Sequence, residues 1–125
     1  MEYIFEVSDN DDFTKILIKG IWPSGQPTKI FNEIYAVWEK NGKKKILVDI
    51  RTIQDNPSIT SDYFDAGASF ASGFWQIPKI AVLDQIERKK SNSFFELTAS
   101  NRGLRFRFFY IDEQKAIDWL MSKND

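Results

Sequence analysis

The chain has 125 residues, 42% hydrophobic and 15% aromatic, with no Cys, no His and a formal charge of -1. That length suits one domain, 1-125, with a sizeable core. Without Cys or His, disulfides, Fe–S clusters, imidazole metal ligands and histidine-dependent triads are all excluded, while the near balance of charge argues against a general nucleic-acid binder.

The opening MEYIFEVSDN lacks the basic-then-apolar pattern of a signal peptide, and no apolar run reaches the roughly 18 residues of a membrane span. The expected location is the cytoplasm. In Glu2–Val7, Tyr3, Phe5 and Val7 alternate with Glu2, Ile4 and Glu6, the period of a first strand. Ile4 is either an imperfection or part of a second buried face. Ser8-Asp9-Asn10-Asp11-Asp12 reads as a hairpin turn, since calcium-loop spacing is missing. Phe13–Lys19 is the second strand.

Gly20-Ile21-Trp22-Pro23-Ser24-Gly25 leaves that strand sharply. Trp22 is read either as a plug over the sheet edge or as the rim of a ligand cleft. Thr28–Asn41 has helical spacing of Ile30, Phe31, Ile34, Tyr35, Val37 and Trp38, closed by Asn41-Gly42. The following lysines, Lys43 to Lys45, are expected to be solvated.

Lys45–Ile50 is a short apolar strand of the kind covered on both faces, with parallel neighbours. It ends at Asp49 and Arg51, and open α/β sheets place their sites at such carboxyl ends. Arg51–Thr60 is a longer loop than the connection needs. The second predicted helix, Ser61–Trp75, carries Tyr63, Phe64, Phe70, Phe74 and Trp75 beside Gly67 and Ala68. That band is read as core, or as a face for a protein partner, a second copy or an apolar ligand.

Lys79–Asp84 is a fourth, central strand, and Gln85–Ser91 a polar turn. Asn92–Asn101 is a third helix, closed by Gly103. In the fifth strand, Leu104–Phe109, Leu104, Phe106 and Phe108 alternate with Arg105 and Arg107, which suits an edge. Asp112–Met121 is a helix capped by Asp112. The fold class is therefore α/β: a mixed sheet in the order ββαβαβαβα, an opening antiparallel hairpin followed by β-α units.

Several of these pieces carry a resemblance. They are Gly20-Ile21-Trp22-Pro23, Ile46-Leu47-Val48-Asp49-Ile50-Arg51, Lys79-Ile80-Ala81-Val82, and Phe94-Phe95-Glu96 with Thr98-Ala99-Ser100-Asn101-Arg102-Gly103. Phe108-Phe109, Glu113, Ala116, Ile117 and Trp119-Leu120 complete the set. Over essentially its whole length the chain resembles the STAS / SpoIIAA-like domain superfamily, in its stand-alone bacterial branch. The resemblance implies a SpoIIAA-like mixed sheet with helices packed on it. In the anti-sigma factor antagonists it implies a phosphorylatable Ser at the start of the helix after the central strand. By place, Ser58 and Ser61 are the candidates here, although no Gly follows either.

Two polar groupings remain. Asp49, Arg51 and Asp84 stand near the carboxyl ends of central strands, either as a structural ion pair with a neighbour or as an anion or metal site. Arg102, Arg105 and Arg107, with Arg88, Lys89 and Lys90 nearby, make a basic face or an anion patch. Phosphate-loop and dinucleotide glycine patterns are absent, and no cofactor is expected. The favoured function is a non-enzymatic interaction or regulatory domain, compatible with a homodimer. The alternatives are a lipid or small-molecule binder with an apolar pocket near Trp22 and the second helix, and a carboxylate-based enzyme.

Overall fold

The computed structural model describes residues 3–22, 29–42, 44–54 and 76–123. The second predicted helix lies outside them, and with it Ser58, Ser61, Tyr63, Phe64, Phe70, Phe74 and Trp75. The opening strands are β1 (Tyr3–Asp9) and β2 (Phe13–Gly20), followed by α1 (Lys29–Lys40) and β3 (Lys45–Asp49). After the segment outside the described residues come β4 (Ile80–Asp84), α2 (Lys89–Asn101), β5 (Phe106–Tyr110) and α3 (Glu113–Met121). The five strands form one sheet in sequence order. β1 and β2 are antiparallel, with Phe5 opposite Ile18, and β2 through β5 run parallel. This is the expected mixed α/β sheet, with β4 internal and β5 at an edge.

The hairpin turn closes on Asn10, whose Oδ1 accepts the Asp12 and Phe13 N–H groups at 2.8 and 2.9 Å. Asparagine side chains mimic a backbone turn in this way. Lys44 is not merely solvated: its Nζ lies 3.1 Å from Asp9 and ties the hairpin to the start of β3.

Strand alternation sends successive side chains to opposite faces. Ile46, Val48, Ile80, Val82, Phe106 and Phe108 join Ile30, Phe31, Ile34 and Trp38 of α1 and Phe95 and Ala99 of α2 in the larger core. There Phe95 stacks on Phe31 at 5.7 Å and meets Phe106 edge-on at 5.2 Å. Leu47, Ala81 and Leu83 point the other way, against Ala116 and Leu120 of α3. Burial on both faces explains why β3 and β4 are apolar almost throughout. Ile4 is 46% exposed, so it interrupts the alternation of β1 without opening a second buried face.

Two predicted boundaries move. The expected polar turn at Gln85–Ser91 is instead a 3-10 turn, Ile86–Arg88, that runs directly into α2, because Arg88 is buried rather than solvated. Leu104 belongs to the end of α2 and not to β5: Gly103 N–H donates to Ser100 O at 2.9 Å and Leu104 N–H to Ala99 O at 3.1 Å. Gly103 has φ +86°, so the pair forms the left-handed helix stop in which glycine avoids a Cβ penalty. Asp112 caps α3 as its sequence predicts, accepting from Gln114 and Lys115 N–H.

Candidate functional site

The parallel strands bring the ends of β2, β3, β4 and β5 to one rim. Asp49 closes β3 and Asp84 closes β4, in a register that pairs Asp49 with Leu83. Alternation then separates the two acids. Asp84 continues the Ile80–Val82 side, toward α2, and Asp49 continues the Leu47 side, toward α3. The grouping of Asp49, Arg51 and Asp84 is therefore two sites on opposite faces, and a one-residue difference in register is the physical reason.

On the α3 face, Arg51 Nε and Nη2 lie 3.0 and 2.8 Å from the two Asp49 carboxylate oxygens, and the Arg51 N–H reaches Oδ1 at 3.1 Å. This is the expected ion pair, in the fork geometry that suits arginine. Glu113, at the start of α3, joins it: 3.5 Å from Arg51 and 3.1 Å from Lys15 of β2. Burial works to raise the Asp49 carboxyl. The Arg51 side-chain and backbone hydrogen bonds, with the charges of Arg51 and Lys15, outweigh it and hold the group below the usual value.

On the other face, Asp84 is 1% exposed and accepts three hydrogen bonds. The donors are Gln85 N–H at 2.7 Å, Arg88 Nη1 at 2.7 Å and Asn92 Nδ2 at 2.8 Å. Burial nevertheless pushes its carboxyl above the usual range, the donors offsetting only part of it. Arg88 spans from Asp84 to the chain that follows β3: Nη1 donates to Ile50 O at 3.2 Å and Nη2 to Ile53 O. Gln85 Nε2 donates to Arg51 O in the same loop. Gln54 in turn pairs with the end of β2, its N–H on Gly20 O at 2.7 Å and its O accepting Trp22 N–H at 2.9 Å. Over its described residues the loop is held at Ile50, Arg51, Ile53 and Gln54, and Ser58 and Ser61 follow in sequence.

The structure places the remaining candidates as follows. Trp22 is 2% exposed and lies edge-on to Phe31 at 6.1 Å, inside the core rather than on a rim. The apolar space it lines with Ile30, Phe31 and Phe95 measures about 30 Å³, the room of a single water and far below the several hundred cubic ångströms of a drug-sized ligand site. Arg102, Arg105 and Arg107 are exposed, and Arg107 lies over the Phe109 ring at 5.3 Å. Arg88 is turned inward to Asp84, away from that basic group. Among the described residues, no three acidic side chains are grouped as a metal site would need.

Two features of the rim escape sequence reading. One is the Arg88 clamp, whose only local signal is the four-residue spacing from Asp84. The other is Ile111, which is 80% exposed with φ +76°. Asp112 N–H bonds Tyr110 O at 2.9 Å across it, closing a strained three-residue turn. Ile86 and Ile21 are also exposed, each just past the end of its strand, so three isoleucines share the rim.

No family model matches the chain, and no curated protein matches it either. Several solved structures share its fold, two of them as follows. An anti-sigma factor antagonist from Mycobacterium paratuberculosis is 11% identical, with 97% of this chain and 96% of that chain covered at a TM-score of 0.57. An uncharacterized protein with a SpoIIAA-like fold from Shewanella loihica PV-4 is 16% identical, with 95% and 94% covered at a TM-score of 0.55. The fold is SpoIIAA-like, as the sequence resemblance implies, and at these identities the likeness is one of architecture.

Proposed function

We propose that this chain is a non-enzymatic regulatory domain that works through protein–protein contact at the carboxyl rim of its sheet. One observation carries the reading: the loop after β3 is fixed by Arg88 and Gln85 from the β4 side. A presented loop is more useful to a partner than to chemistry, because preorganisation lowers the entropy lost on binding. Among the described residues, Asp49 and Asp84 face opposite sides of the sheet, and Asp49 and Glu113 share Arg51 as an ion-pair partner. The likeness to an anti-sigma factor antagonist supports a regulatory role, and a cytoplasmic setting suits it.

Ser58 and Ser61 follow the fixed loop in sequence and are the proposed modification points. An added phosphate there would change the charge presented to the partner. Tyr63, Phe64, Phe70, Phe74 and Trp75 are the proposed apolar contact for that partner or for a second copy.

The test is native mass spectrometry of the protein taken from its own cells. The expected result is a retained protein subunit, or one added phosphoryl group mapping to Ser58 or Ser61. A bare, unmodified monomer that stays bare across growth conditions overturns the proposal.

A further inference from the structure

Of the two edge strands of the sheet, β1 is the open one. On β5, Phe106 and Phe108 are each 7% exposed, and the Glu96 carboxylate of α2 accepts Phe108 N–H at 3.0 Å. On β1, Glu6, Val7, Ser8 and Asp9 are all exposed, Val7 at 45%. The hairpin register fixes which backbone groups face outward. Asn10 N–H donates to Phe13 O at 3.2 Å, which makes theirs a hydrogen-bonded pair, and every second pair along the ladder follows suit: Ser8 with Lys15, Glu6 with Leu17. Phe5, Val7 and Asp9 therefore turn their N–H and C=O groups away from β2.

Nothing in the strand blunts this edge. Natural edge strands are protected by Pro, by lysines, by bulges or by being short. β1 is seven residues long, pairs with β2 in unbroken register from Tyr3 to Asp9, and contains neither Pro nor Lys. Among the described residues no strand covers its outer side.

Charge indicates which strand fits there. One end of β1 runs into an acidic turn, where Asp11 and Asp12 are exposed. At the other end Lys29 of α1 is exposed and lies over the Tyr3 ring at 5.6 Å, while the part-buried Glu33 accepts the Tyr3 hydroxyl at 2.9 Å. An antiparallel copy of β1 brings the acidic turn of each chain to the Lys29 end of the other, and two-fold symmetry makes that match twice. A parallel partner of the same sequence would set turn beside turn.

We infer that β1 pairs antiparallel with β1 of a second copy, joining the two sheets into one. Centred on Val7, the pairing sets Val7 against its own copy, Glu6 against Ser8 and Phe5 against Asp9. It also carries Asp11 of one chain to Tyr3 and Lys29 of the other. No like charges face each other from Phe5 to Asp9, whereas a pairing centred on Glu6 would oppose two glutamates. The contact belongs to the small class of interfaces. It leaves the carboxyl rim of β2 to β5 outside it, so it stands independently of the rim reading above.

The test follows the full chain from micromolar to millimolar concentration. Sedimentation reads the assembly, and amide hydrogen exchange reads the edge. The wild-type chain is expected to dimerise with a Kd of roughly 10–100 µM, its Phe5 and Val7 amides protected when concentrated and released on dilution. Val7→Pro removes one outward N–H, a change that edge strands tolerate, and is expected to weaken the dimer at least about tenfold. A charge swap needs no backbone change. Asp11→Lys with Asp12→Lys in one variant, and Lys29→Glu in another, are each expected to weaken self-association about tenfold. Mixing the two variants is expected to restore pairing as a heterodimer. A chain that stays monomeric at millimolar concentration overturns the inference. So does a dimer that Val7→Pro and both charge variants leave intact, or one whose Phe5 and Val7 amides remain unprotected. Protection that appears only on adding an alternating lysine–valine peptide also overturns it, because the occupant is then the strand of another protein. If Val7→Pro does not fold, the charge swap and the wild-type exchange pattern decide.

Discussion

Asp49 and Asp84 end neighbouring strands of the same sheet and face opposite sides of it. Asp49 lies against Arg51 and α3, whereas Asp84 lies against Arg88 and α2. Each acid holds a different stretch of the rim. Asp49 anchors Arg51, the second residue past β3, and Asp84 anchors the arginine that holds Ile50 and Ile53.

The Asp84–Arg88 pair should behave as a buried ion pair. Arg88→Met leaves the buried Asp84 carboxylate without its cation and is expected to cost about 3–5 kcal/mol in chemical denaturation. Pairing it with Asp84→Asn should cost less than the sum of the two single changes, because the residues share one network. Strictly additive losses would show that Arg88 acts independently of Asp84. The pH dependence has a definite sign. A carboxyl raised in the folded state binds its proton more tightly there than in the unfolded chain. Its contribution therefore weakens as pH rises from the ordinary value of 3.8 through the raised one.

Asp49 should show the opposite sign. Its folded value is depressed, so its contribution is present above the ordinary 3.8 and lost as pH falls through the folded value. Asp49→Asn is expected to lower stability near neutral pH by on the order of 1 kcal/mol, a figure kept small because solvent screens the partly exposed Arg51. The difference from wild type should shrink in acid. Urea melts at about pH 7 and about pH 3 make the comparison, and a constant difference would remove Asp49 from the acid limb.

Ile111 stores strain. A β-branched residue at positive φ is unfavourable by roughly 1–2 kcal/mol relative to glycine, and its side chain buries little in return. Ile111→Gly is expected to raise folding stability by up to about 1 kcal/mol, the added freedom of glycine in the unfolded chain taking back part of the gain. Thermal and chemical melts read this directly. If the rim is the partner surface, the same variant should bind the partner less well while being the more stable protein. A variant that is less stable would show that the Ile111 side chain packs in the folded state.

Much of the architecture was legible in the chain because it rests on local regularities. Alternation marks β1 and β5, a helical period marks α1, and Asp112 and Gly103 announce a start and a stop. The Asp49–Arg51 pair was legible for the same reason, since two residues on one chain cannot move far apart. Arg88 and Lys79 were not. Arg88 reads as part of a polar turn and Lys79 as the first residue of a central strand, yet Arg88 is buried against Asp84, and Lys79 is 3% exposed and bonds Ser122 O at 3.1 Å at the end of α3. Their partners lie in other elements, and no sequence pattern records which element will pack above a given side chain.

Among the described residues, the sequence by itself determined most of the strands and helices and where several of them stop, because propensity, period and capping act over a few residues. Only the tertiary structure decided that Asp49 and Asp84 part company, that Trp22 goes inside, and that Arg88 grips the loop after β3. Those outcomes depend on strand register and on which helix covers which face. They are settled when distant segments bury their apolar surfaces together and each buried polar group must find its partner there.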